Sequence, residues 1–302
     1  MTTSPALLIA GHGTRDEGGA DALRVLVRLL AERHPEVPVA GGFFGAPASP
    51  LPLSDAVDGL VARGVDRLAV IPLLTAPTGP VPEALPTVLA RASERHPGLT
   101  HVCGAELGPH PELLDVLERR LDQALGSGAR KPADRARTTV LLVGHGATDP
   151  HANAEVARAA RLLWEGRGFA GVETAFVSQA APDVPAGLDR CRALATAAGS
   201  GESGRIVVLP YFLLPGGPVE RLHMQAEGWA AAHPGTEVFG ATVIGPEPEV
   251  ADVVMERYRA AVAGEPPFAS APCGCRAAAE DARQPHGAVW QGASLTAGAG
   301  DR

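Results

Sequence analysis

Two histidines are each flanked by glycine and preceded by an apolar run. His12 lies in LLIAGHGTRD, residues 7–16, and His145 lies in LLVGHGATD, residues 141–149, 133 positions later. An imidazole in such a setting can hold a borderline divalent metal through a neutral nitrogen, or accept a proton near neutral pH. A plainer role is a loop histidine that hydrogen-bonds the backbone and fixes a glycine-rich turn.

The elements around these residues say where they sit. Each apolar run reads as a buried strand, the residues after Gly-His-Gly read as a turn, and a helical pattern follows. Both histidines therefore fall at the carboxyl end of a strand. In a parallel α/β sheet that edge is where ligands bind, because loops and helix N-termini point polar groups into the crevice above it.

The periodicity predicts strands over 6–10, 37–44, 67–71 and 99–105, alternating with helices over 20–33, 54–63, a stretch reaching about 95, and 111–125. The unit then recurs. Phe43 and Phe176 are also 133 apart, whereas Pro72 and Pro210, like Pro80 and Pro218, are 138 apart. The difference places an insertion in the Gly/Ser stretch at 199–204. The expected fold class is α/β, with two tandem domains, each a four-stranded parallel sheet flanked by helices, related by internal duplication. The expected divisions are a first domain over 1–125, a linker over 126–137, a second domain over 138–263 and a disordered tail over 264–302. Two such lobes would face each other across a cleft, with both Gly-His-Gly loops placed to line it.

Composition excludes several function classes. A net charge of -8 over 302 residues, with no run of Arg or Lys, argues against a nucleic-acid surface. No apolar run approaches the ~18 residues a membrane span needs, and MTTSPALLIAGHG lacks a signal peptide's basic and long apolar regions. A cytoplasmic protein is expected. Of the four cysteines, Cys103 and Cys191 read as small core residues. Cys273 and Cys275, with a distant His286, could bind a soft ion weakly but cannot close a four-ligand site alone.

At LLIAGHGTRD, RLAVIPLL, ERHPG and LGPHPELL, and in the second half at VLLVGHGATDPHANAEVARAARLLWEGRGFAGVETAFVSQAAPDVPAGLDRCR, IVVLPYF and VIGPEPE, the chain resembles the long, duplicated sirohydrochlorin chelatases of the CbiX type, relatives of the class II, ferrochelatase-like chelatases. The resemblance covers residues 5 to 263 and implies that the two domains are chelatase-like (flavodoxin-like). It implies insertion of Co(II) or Fe(II) into sirohydrochlorin, an octacarboxylate tetrapyrrole on the routes to cobalamin and siroheme. The metal is then a substrate, and no organic cofactor is needed. Metallation removes two pyrrole N–H protons as the ion enters, so the site wants a neutral imidazole to hold the metal and another group to accept protons. His12 fits the first role and is the catalytic and metal-ligand candidate, and His145, retained in the second half, is a further metal-ligand candidate. Carboxylates on the pigment call for guanidinium groups, for which Arg15 is the substrate-binding candidate, its counterpart in the second copy being Thr148.

The family pattern is also broken. Its second histidine is replaced by Pro80, the aspartate a few residues on by Ala84, and the glutamate closing the second strand by Gly45. His151 and His223 are available in the second half, yet their settings read as a solvated first turn and a partly exposed helix face. Asp16 and Asp149 read as helix N-caps, and His110 as an aid to starting the next helix. Related long chelatases often carry a Cys-x-x-Cys tail, where this chain has Cys-x-Cys. The alternative to an active chelatase is a non-catalytic paralogue that binds or delivers metal or tetrapyrrole. A third reading, a phosphohistidine enzyme, calls for arginine before the histidine, where the chain has Gly11 and Gly144. Because two fused copies supply their own pseudo-twofold, a monomer is expected.

Overall fold

The computed structural model describes residues 4–13, 16–46, 48–76, 81–126, 132–197 and 204–264. The first repeat runs β1 (Ala6–His12), α1 (Glu17–Arg33), β2 (Val39–Phe44), α2 (Leu53–Val61), β3 (Arg67–Pro72), α3 (Val81–Arg95), β4 (Thr100–Cys103) and α4 (Pro111–Leu125). After α5 (Pro132–Ala136) the second runs β5 (Thr138–Gly144), α6 (Pro150–Trp164), β6 (Gly171–Phe176), α7 (Val184–Ala197), β7 (Arg205–Pro210), α8 (Gly217–Ala232), β8 (Glu237–Gly240) and α9 (Pro248–Ala263). The two sheets have orders β2-β1-β3-β4 and β6-β5-β7-β8, and every pairing is parallel. The expected α/β duplication is the observed architecture. Among the described residues no helix is long and apolar enough to cross a membrane.

β1 is apolar over Ala6–Ala10 and β5 over Val140–Val143 because each is buried there on both faces, as central parallel strands must be. The alternate residues divide the molecule into layers. Leu8, Ala10 and Val70 face outward onto α2 and α3, and Leu141, Val143 and Val208 do the same onto α7 and α8. The inner residues Leu7, Ile9 and Ile71 of one sheet and Val140, Leu142 and Leu209 of the other join one continuous core with α1, α4, α6 and α9. Each repeat therefore keeps an outer core of its own but shares its inner one with the other repeat.

Packing crosses the repeat boundary in both directions. α4, from the first repeat, packs on β7, β8 and α6, while α9, from the second, packs on β3, β4 and α1. Polar contacts fix the exchange. Arg120 on α4 donates to the carbonyls of Val243 at 2.9 Å and Ile244 at 2.7 Å. On α9, the Tyr258 hydroxyl donates to the Pro5 carbonyl at 2.7 Å and Arg257 Nε to the Glu106 carbonyl at 3.1 Å. Gly104 lets α9 come close, since a Cβ there would stand 2.5 Å from Ile71 Cδ1 and 3.2 Å from the Arg257 carbonyl oxygen.

Two readings of the sequence need amending. Cys191 is buried in α7, but Cys103 is exposed, because β4 is an edge strand whose four residues all face solvent. The stretch 126–137, read as a linker, contains the short helix α5, which proline at its first position favours. Its Arg135 clamps the segment to α4 by ion pairs with Glu118 and with Asp122 at 2.8 Å, and its guanidinium lies 5.2 Å from the Phe169 ring centroid. The insertion at 199–204 falls largely outside the described residues, and the tail over 265–302 entirely so.

Two measurements test this packing. Gly104→Val has to push α9 off β4, so urea unfolding is expected to show a loss of about 3 kcal/mol. For the α4–α5 clamp, burial alone would raise the Glu118 carboxyl, but Arg135 and Arg167 together hold it below its ordinary 4.5. A depressed carboxyl stabilises the fold above 4.5 and loses that contribution as pH falls through its folded value. Glu118→Gln is therefore expected to be less stable than the parent at pH 7, with the gap closing below pH 4.5 in pH-dependent melts.

Candidate functional site

The carboxyl edges of the two sheets line one cleft of about 460 Å³. His12 is the last residue of β1, paired in register with Phe44 of β2, and its ring lies against the Phe44 ring with centroids 5.4 Å apart. The imidazole is exposed to the cleft. Beside it Gly45 turns the chain out of β2 at φ +76, and a Cβ at that position would stand 3.1 Å from His12 Nε2. Glycine there satisfies the left-handed backbone and leaves the ring edge free.

His145 follows β5 and is half-buried on the other wall. Its Nδ1 lies 3.0 Å from the Gly146 carbonyl oxygen, which can only accept, so Nδ1 carries the proton and Nε2 keeps its lone pair. The backbone-fixing role thus falls to Nδ1, which leaves Nε2 uncommitted. For His12, desolvation within the cleft walls and the nearby charge of His145 both lower the imidazole below its ordinary 6.5. Burial and a positive neighbour both disfavour the charged form of an imidazole, so His12 favours neutrality.

The rest of the cleft is apolar or already committed. At its floor Tyr211 is 1% exposed, and its hydroxyl donates to the Thr75 carbonyl at 3.3 Å while Thr75 Oγ1 donates to the Tyr211 carbonyl at the same distance. These reciprocal bonds tie the loops after β3 and β7, one from each repeat. Burial raises the Tyr211 phenol above its ordinary value, so it stays a donor. Asn153 on α6 spends its amide on Ala147, accepting from the backbone N–H at 2.9 Å and donating to the carbonyl at 2.8 Å, which shapes the turn after His145. No Asp, Glu, Lys or Arg lines the cleft among the described residues. Nor do those residues contain a group of three or more His, Cys, Asp or Glu able to hold a metal.

Other candidates lie elsewhere. Arg15, Pro80, Cys273, Cys275 and His286 are outside the described residues, and Ala84 falls in α3. His151 is exposed in the first turn of α6, where Asp149 caps the helix by accepting from its N–H at 2.9 Å. Asp16 caps α1 in the same way. His223 is a partly exposed residue of α8 away from the cleft. His110 caps α4, its Nδ1 accepting from the Glu112 N–H at 3.3 Å and its Nε2 lying 3.2 Å from Glu256. Sequence reasoning missed Thr75, Asn153, Gln179 and Tyr211 as cleft residues. For Tyr211 a signal existed, since the repeat has Leu73 in its place; Gln179 carried none.

Comparison with known proteins bears on this arrangement. The chain is 30% identical to the sirohydrochlorin cobaltochelatase of Priestia megaterium over 262 residues, 86% of this chain and 81% of that one. It is 27% identical to the sirohydrochlorin ferrochelatase of the same organism, over 70% of this chain and 74% of the relative. In fold it is similar to SirB from Bacillus subtilis with Fe3+, with a TM-score of 0.68 at 21% identity, covering 86% of this chain and 96% of that one. The sirohydrochlorin chelatase SirB from Bacillus subtilis subspecies spizizenii in complex with cobalt gives a TM-score of 0.66 at 19% identity, over 86% and 96% of the two chains. The CbiX family model matches twice, over residues 6–124 and 139–261, the same two repeats whose sheet edges form the cleft, and the chain belongs to the CbiX family.

Proposed function

We propose that this chain is a sirohydrochlorin chelatase that inserts Co(II) or Fe(II) into the macrocycle. The observation that carries the reading is the placement of His12 and His145 at the facing sheet edges of one cleft in a CbiX-family fold. Metallation forms bonds from the metal to the macrocycle nitrogens and releases two pyrrole protons. Neutral imidazoles suit both halves of that exchange, since each offers a lone pair that first holds the ion and then takes up a proton. His145 Nε2 is aimed by the bond from Nδ1 to the Gly146 carbonyl, and the lowered basicity of His12 keeps its lone pair available near neutral pH. A site of two imidazoles also holds a borderline ion loosely, as release to the product requires. Arg15 is proposed to meet a pigment carboxylate. Either metal is consistent with this donor set, and a cytoplasmic setting belongs to the same reading.

A second reading is supported by the absence, among the described residues, of a three-ligand group, and by Gly45, Pro80 and Ala84 in place of the family's Glu, His and Asp. In it the protein binds or delivers metal or tetrapyrrole without inserting the ion.

Anaerobic absorbance spectra of sirohydrochlorin with Co(II) or Fe(II) separate the two. A protein-dependent metallation rate is expected that falls at least 100-fold in His12→Ala, the scale of removing a group that handles the transferred protons. Bound pigment metallated no faster than in buffer would establish the second reading. Size-exclusion chromatography with light scattering is expected to give a monomer, because the fused repeats already pair their edges; a stable dimer would contradict this.

A further inference from the structure

Every polar side chain among the described residues of the cleft wall is accounted for except one. Among the described residues Thr75, Tyr211 and Asn153 are spent on backbone partners, and the two histidines form the centre. Gln179, exposed at the cleft, makes no hydrogen bond or ion pair through its amide. It is also the described non-glycine residue with positive φ, at 62°. A side chain in this left-handed region crowds its own backbone, and glycine relieves that at once. The other repeat does so, since its chain leaves β2 through Gly45 at φ +76, one position earlier by the register of the two repeats. The backbone of Gln179 is anchored as well. Ser178 before it donates its N–H at 3.0 Å and its Oγ–H at 3.3 Å to the His145 carbonyl, so the loop carrying the free amide is tied to the turn that aims His145.

A strained residue held rigidly at a cleft with an uncommitted amide has the marks of a ligand contact. Building on the chelatase reading, we propose that Gln179 is a specificity-determining residue whose amide N–H donates to a peripheral carboxylate of the tetrapyrrole. Its exposure suits the charged rim of the pigment, which stays near solvent, rather than the central nitrogens, which have to reach the imidazoles. A neutral donor also adds recognition without adding charge beside the histidines.

The test is equilibrium titration of metal-free sirohydrochlorin, followed by visible absorbance, into the parent protein, Gln179→Gly and Gln179→Glu, with thermal melts of all three. Gln179→Gly is expected to melt at or above the parent temperature, because the left-handed strain is gone, yet to bind pigment about tenfold more weakly, the loss of one hydrogen bond to a charged group. Gln179→Glu is expected to bind about fivefold more weakly again, since carboxylate then faces carboxylate. Unchanged pigment affinity in Gln179→Gly, or tighter binding by Gln179→Glu, would overturn the assignment, the latter pointing the side chain at pyrrole N–H groups instead. A parent protein that fails to bind the pigment would overturn the chelatase reading itself, a result distinct from normal binding that ignores residue 179.

Discussion

The apolar layer between the two sheets holds the rest of the structure in place. Leu7, Ile9 and Ile71 on one sheet and Val140, Leu142 and Leu209 on the other are fully buried in the same cluster. Each such side chain is worth about 1.5–3 kcal/mol relative to exposure, so exposing these six would cost an amount comparable to a domain's whole net stability. The exchange of α4 and α9 closes this layer from both sides. It also faces one carboxyl edge toward the other, which is why His12 and His145, 133 residues apart, share a cleft.

The character of that cleft follows from its walls. Backbone, glycine, aliphatic and aromatic groups surround the two rings, and the described lining adds no permanent charge. Desolvation then lowers the basicity of His12, and the neighbouring ring adds to the effect. Neutral nitrogen is the form in which imidazole binds metal or accepts a proton, so an apolar wall prepares the chemistry. The hydrogen bonds that are present serve geometry: Thr75 and Tyr211 lock the facing loops, and Asn153 shapes the turn after His145.

The two edges have diverged, as a fused pair is free to do. Leu73 in one repeat is Tyr211 in the other, and the open turn at Gly45 corresponds to the strained one around Gln179. A symmetric dimer has to accept every substitution on both sides of its axis, whereas a tandem chain can give one edge a hydroxyl and the other a bare glycine. The floor bond from the Tyr211 hydroxyl to the Thr75 carbonyl is made from one edge, the matched position on the other being Leu73.

The amino-acid sequence by itself determined the class and order of the elements, because apolar period and turn residues are local signals. Helix α4 spans Pro111–Leu125 as read, opened by proline and closed at Gly126, and the apolar runs ending in Gly-His-Gly put both histidines at strand ends. The duplication further fixed that the two edges are alike. Only the tertiary structure decided which surface covers each apolar face. An amphipathic pattern states that one side of α4 or α9 has to be buried but not against which repeat, so the helix exchange could not be read from it. For the same reason the strand-like pattern at Cys103 concealed its place on an edge, where one neighbour is missing and the thiol meets solvent. The contacts of Tyr211 and the backbone strain at Gln179 arise where chain segments distant in sequence meet, and there local propensity yields to packing.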